Sequence, residues 1–108
     1  MKVMRLTDDH PLPGIGQFVR MKQGRDAGKM GIIISLLDAR YVMIADGDKR
    51  KFDRPKKKNI LHLEPLNYFS DEVQQSLNET GRVSNAKLRY ALNKYAEEAQ
   101  ADMLEKGD

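Results

Sequence analysis

Apolar and polar positions alternate with a period of two in segments before residue 67, notably 16–23 and 60–66, and the pattern then switches to a helical period. GQFVRMKQ, residues 16–23, sets Val19 and Met21 on one side of a strand and Phe18, Arg20 and Lys22 on the other. The first pair reads as facing a core and the basic pair as facing water. Gly24 to Lys29 is a turn, and residues 30–37 follow as an almost wholly apolar strand rich in β-branched residues. Asp38-Ala39-Arg40 reverses the chain into YVMIA, residues 41–45. Asp46-Gly47 is a hairpin signal, so Lys49 to Phe52 is expected as a short basic fourth strand, ended by Pro55. Lys56 to Asn59 reads as a connector. ILHLEPL, residues 60–66, reads as a fifth strand with Leu61 and Leu63 on one face.

The period changes at Ser70. Val73 and Leu77 lie four apart, as on one helix face, and Gly81 is placed to close that helix. Ser84 caps a second helix, with Val83 and Leu88 spaced as a hydrophobic staple. Leu88, Ala91, Leu92, Tyr95, Ala99 and Met103 then form an apolar stripe that must cover the barrel, the other helix or a partner. The tail, MLEKGD, is expected to fray. The expected class is mainly β with α. An irregular lead-in occupies 1–13, a five-stranded barrel 14–66, and a helical hairpin module 67–108.

Charge sharpens this division. From Leu12 to Leu66 there are twelve Lys/Arg against six Asp/Glu, whereas from Asn67 onward there are five against eight. The front is therefore basic and the rear acidic, although the whole chain carries only +3. Between Lys49 and Lys58, seven of ten residues are cationic and only Asp53 opposes them. That density exceeds ordinary surface mixing and fits a polyanion such as nucleic acid. The chain has no cysteine, which excludes disulfides and thiolate metal sites and fits a reducing compartment. It has no apolar run of about eighteen residues, and MKVMRLTDDHPLPGIG lacks an apolar leader core. A cytoplasmic location without membrane contact is expected.

GRDAGKMG, residues 24–31, superficially resembles a phosphate loop, but its glycines are too close together and Met30 stands where a magnesium-binding hydroxyl is needed. Such a loop also leads into a helix, and here a strand follows. No nucleophile, base and orienting group fall into a recognisable set, so an enzyme is not expected. His10 and His62 are isolated and do not make a metal site. No cofactor is expected. Tyr41 and Phe52 read as core or half-core residues rather than base-stacking platforms.

Gly16-x-x-Val19-x-Met21-x-x-Gly24-x-x-x-Gly28-x-x-Gly31 resembles the KOW motif of RNA-binding and ribosomal proteins. The longer stretch GRDAGKMGIIISLLDARYVMIADG, with NILHLEPL at 59–66, is similar to the fourteenth large-subunit ribosomal protein family of archaea and eukaryotes. KRKFDRPKKKN, residues 49–59, resembles small KOW-domain RNA-binding proteins of Gram-positive bacteria. The resemblance implies an SH3-like barrel whose first loop, Gly24 to Lys29, touches RNA. Glycine has no side chain and permits positive φ, so backbone there can approach a sugar-phosphate chain. Asp26 would repel phosphate unless it orients Arg25 or shapes the turn. The RNA-binding residues expected are Arg20 and Lys22 on the first strand and Gly24, Arg25, Gly28 and Lys29 in the loop. Lys49, Arg50, Lys51, Arg54, Lys56, Lys57 and Lys58 complete the set. The expected partner is RNA, chiefly ribosomal, with ribosomal or translation-factor proteins as further partners. A rival reading is a protein-interaction adaptor in a transcription or translation complex. The destination of the helix stripe separates the two.

Overall fold

The computed structural model describes the backbone of residues 13–107 and the side chains of residues 13–99. His10, Met103 and all but the last residue of the expected lead-in lie outside the described side chains. Five antiparallel strands come first: β1 (Gln17–Met21), β2 (Met30–Leu36), β3 (Tyr41–Ala45), β4 (Lys56–Asn59) and β5 (Leu63–Phe69). A 3₁₀ turn, Ile60–His62, joins the last two strands. The strand order is β4-β3-β2-β1-β5. Bulges between Gln17 and Val19 and between Ile33 and Ser35 bend the sheet into a barrel-like form. Two helices follow, α1 (Asp71–Thr80) and α2 (Asn85–Gly107).

Two hydrophobic clusters use opposite faces of the same strands. Val19, Met21, Ile33, Val42, Ile44 and Leu63 fill the barrel interior. Phe18, Ile32, Ile34 and Ala45 face outward, where Val73, Val83, Leu88 and Ala91 of the helical segment bury them. This double burial explains why β2 is apolar at nearly every position. It also accounts for Phe18, which shares a face with Arg20, as expected, yet is fully buried. Its ring meets Tyr68 edge-on at 4.9 Å and Tyr95 at 5.2 Å. Removal from water and a hydrogen bond to Glu98 raise the Tyr68 phenol pKa above its ordinary value.

The helix stripe thus covers the barrel. Leu88 and Ala91 are buried, and Leu92 and Tyr95 pack partly buried on the same cluster, whereas Ala99 is exposed. The capping chemistry is as the sequence requires. The Ser70 hydroxyl accepts from the Val73 N–H at 3.2 Å, with Asp71 and Glu72 in the first turn. The Gly81 N–H closes α1 on the Leu77 carbonyl, and the Ser84 hydroxyl accepts from the Lys87 N–H at 3.1 Å. The tail does not break from α2, which continues to Gly107.

The fourth and fifth strands differ from expectation. Lys49 to Phe52 is loop, and the supposed connector Lys56–Asn59 is β4, paired with β3 through Ile44↔Lys56 and Tyr41↔Asn59. The Asp46 carboxylate accepts from the N–H groups of Asp48 and Arg50, curling the chain into a wider loop where a tight hairpin was expected. A second turn follows from Lys51 to Arg54. The lysine-rich β4 lies at the edge of the sheet, where lysines discourage pairing with another chain. β5 begins three residues later than expected because residues 60–62 form the 3₁₀ turn. Leu61 is consequently 75% exposed while Leu63 is buried. Pro65 is tolerated because β5 is the opposite edge.

The β2–β3 turn is held by Asp38, whose carboxylate accepts from the N–H groups of Arg40 and Tyr41 at 2.8 and 2.9 Å. These bonds, aided by Lys57 and Arg40, hold its pKa below the ordinary 3.8. The stabilisation is therefore present above that value and is lost as pH falls through the lower folded-state value. Asp38→Asn should flatten this part of the acid limb in melts between neutral pH and pH ~2. An unchanged pH dependence would deny the carboxylate that role.

Candidate nucleic-acid interface

The loop after β1 is built from its own backbone. The Ala27 N–H donates to the Gly24 carbonyl at 3.1 Å, Lys29 to Asp26 at 2.9 Å, and Gly28 to Met21 at 2.8 Å. Gly24 and Gly28 have φ of 85° and 87°, which disfavours other residues. A Cβ at either position would meet no atom within 4 Å, so both glycines face open space. Their packing requirement is nil; their conformational requirement is real.

This loop meets the loop after β3 through Asp26. Its carboxylate lies 3.7 Å from Lys29 Nζ and 3.9 Å from an Arg50 guanidinium nitrogen. Asp26 therefore links two basic loops rather than orienting Arg25. Met21, Lys29, Lys49 and Arg50 surround a shared depression there. Arg25 and Lys49 are exposed and form no ion pair among the described residues.

The second loop is fixed from its other side by α2. Arg89 donates to the Gly47 carbonyl at 2.7 Å, and the Phe52 N–H donates to the Asn85 side chain at 2.7 Å. Gly47 has φ of 81° and is buried against the start of α2. A Cβ there would fall on the Asn85 carbonyl and come within 3.0 Å of Leu88 and Arg89. The Asp46-Gly47 pair signals a turn in the sequence, but nothing local reveals this docking role. Asn85 and Arg89 were not among the expected site residues either, because they act through the loop they hold.

The structure thus brings together Gly24, Arg25, Gly28, Lys29, Lys49 and Arg50. Lys22, exposed, enters the first loop, and its N–H donates to the His62 carbonyl. Lys51 and Arg54 are exposed in the next turn. Lys56, Lys57 and Lys58 alternate sides along β4, so they do not form one patch. Arg20 is engaged with Glu64 across β1 and β5 at 3.3 Å. Tyr41 and Phe52 are half-buried, and each carries a cation on its ring: Lys57 at 4.6 Å and Arg82 at 5.3 Å. Among the described residues no helix is long and apolar enough to cross a membrane.

A small β-rich domain with two adjoining basic loops, backed by a helix pair, is the class these features define. No family model matches the chain. It is 45% identical over 71 residues to the Bacillus subtilis protein named "Putative ribosome-binding protein YbzG", a match spanning 66% of this chain and 96% of that protein. The chain belongs to the YbzG family. It is also similar to "Large ribosomal subunit protein eL14" of Sulfolobus acidocaldarius, 27% identical over 79 residues, or 66% of this chain and 82% of that one.

Proposed function

We propose that the protein is a cytoplasmic KOW-type, SH3-like RNA-binding protein that associates with the ribosome and grips ribosomal RNA by its backbone. The observation that carries this reading is the junction of the two basic loops through Asp26, beside glycines that face open space. Arg25, Lys29, Lys49 and Arg50 supply charge to phosphate, and the glycine backbone permits close approach. Lys22, Lys51, Arg54 and the β4 lysines extend the field, and recognition is of shape and backbone rather than base sequence. The ribosomal names of the two relatives support the choice of partner. In this reading residues 14–66 carry the contact and residues 67–108 support them. The adaptor alternative is the weaker reading, because Leu92 and Tyr95 rest partly buried on the outer core cluster and leave Ala99 as the exposed member of the stripe among the described residues.

Binding to purified large ribosomal subunits from Bacillus subtilis is expected to weaken with salt. The slope of log K against log salt should be roughly −0.7 to −0.9 per phosphate, for about four to six phosphates. Gly24→Asn keeps a residue tolerant of positive φ but adds a side chain to the open space. Stability should change by no more than about 1 kcal/mol, and affinity should fall about tenfold. Native affinity in that variant, or a slope near zero for the unmodified protein, would contradict the assignment.

A further inference from the structure

A groove of about 610 Å³ runs between the two basic loops and α2, lined by Lys29, Met30, Lys49, Leu92, Asn93 and Ala96 among others. Met30 and Leu92 are half-buried and rest on the outer core cluster, so they form its floor. Lys29 and Lys49 are exposed and stand at its edge. The groove is thus continuous with the proposed phosphate-binding loops but differs from them in chemistry, being apolar below, with Lys29, Lys49 and the exposed Asp48 carboxylate at its rim.

We infer that this groove receives one unpaired nucleotide of the bound RNA, its base lying on Met30, Leu92 and Ala96 and its phosphate on Lys29 and Lys49. The inference rests on the RNA-binding reading and extends it from the loops onto α2. Three features favour a nucleotide. The volume lies in the range of small-ligand clefts. A thioether and an aliphatic side chain offer a polarizable surface to an aromatic face. The charge at the edge is complementary to phosphate, with Lys49 making no ion pair among the described residues.

The other charged groups at the groove fit the same occupant. Asp46 is occupied by the N–H groups of Asp48 and Arg50, and Arg89 by the Gly47 carbonyl. Their polar atoms maintain the groove's wall. Asp48 and Asn93 are exposed beside it and can hydrogen-bond a base edge, where a carboxylate accepts from an exocyclic amine. A continuous duplex keeps its bases stacked and cannot place one there.

The natural absence of cysteine permits a direct test. Asn93→Cys is compared before and after reaction with a bulky uncharged maleimide, using large ribosomal subunits from Bacillus subtilis as the probe. Tyr90→Cys, on an exposed part of α2 outside the groove, is treated in parallel. Circular dichroism melts verify that each adduct is folded. The adduct at position 93 should weaken binding at least tenfold and shrink the salt slope by no more than about one unit, for the single phosphate displaced, and the adduct at position 90 should do neither. Binding to a perfectly paired RNA duplex should be indifferent to both adducts. Undiminished binding of the position-93 adduct, with a salt slope that still shrinks in Lys49→Ala, overturns the nucleotide site and leaves the loop interface standing. Loss confined to intact subunits, with protein-free ribosomal RNA bound equally by both forms, overturns it in favour of a protein occupant. A salt slope near zero in the unmodified protein overturns the loop interface and this inference together.

Discussion

Gly47→Val is expected to destabilise the protein by about 4 kcal/mol, combining overpacking with the penalty for a branched residue at positive φ. The position is buried, its φ is 81°, and the added atoms would press on the Asn85 carbonyl and the Leu88 side chain. Relief requires the loop to lift from α2, which breaks the bonds from Arg89 to Gly47 and from Phe52 to Asn85. Gly24→Val is the informative comparison, because its φ is nearly the same but its surroundings are empty. It should cost only the conformational part, about 1–2 kcal/mol. Denaturant melts of both variants measure the difference. Equal losses would mean that the loop is not seated on α2 as described.

Replacing Arg25, Lys49 and Lys51 together by Ala should have the largest effect on binding. All three are exposed, and none is ion-paired among the described residues, so stability should shift by no more than about 0.5 kcal/mol each. If each reaches a phosphate at roughly 1 kcal/mol net, affinity for large ribosomal subunits falls about 100-fold. The salt slope should shrink by roughly one unit per lost contact. Arg20→Ala makes a useful contrast, since Glu64 already engages that charge and its contribution to the slope should be smaller. A triple variant with native affinity and slope would move the interface elsewhere.

The elements legible in the sequence were those governed by neighbouring residues. Ser70, Gly81 and Ser84 cap helices through bonds spanning three or four residues, so their chemistry is visible locally. β1, β2 and β3 carry enough apolar residues to be seen without knowing their partners. β4 carries only lysines and Asn, and what makes it a strand is pairing with β3, a non-local fact. The expected strand at Lys49 to Phe52 failed because Asp46 binds two backbone N–H groups and turns the hairpin into a wider loop. The period of two in β1 shows that Phe18 shares a face with Arg20, but not that the helices bury that end of the face, which depends on residues far along the chain. At the candidate site, the glycines and the density of cations were readable. The bridge from Asp26 to Arg50 and the seating of Gly47 on Asn85 were not, since each joins segments more than twenty residues apart. The sequence alone also groups the β4 lysines with the loops, whereas strand geometry divides them between two sides.

The most direct measurement of the central claim is ultraviolet crosslinking in living cells, with sequencing of the attached RNA and mass spectrometry of the attached peptides. Ribosomal RNA should dominate the recovered sequences, and the crosslinked peptides should map to residues 22–30 and 46–58, with residues 92–96 added where the groove holds a base. Recovery of messenger RNA alone, of no RNA, or of crosslinks confined to α1 and the distal part of α2 would contradict it.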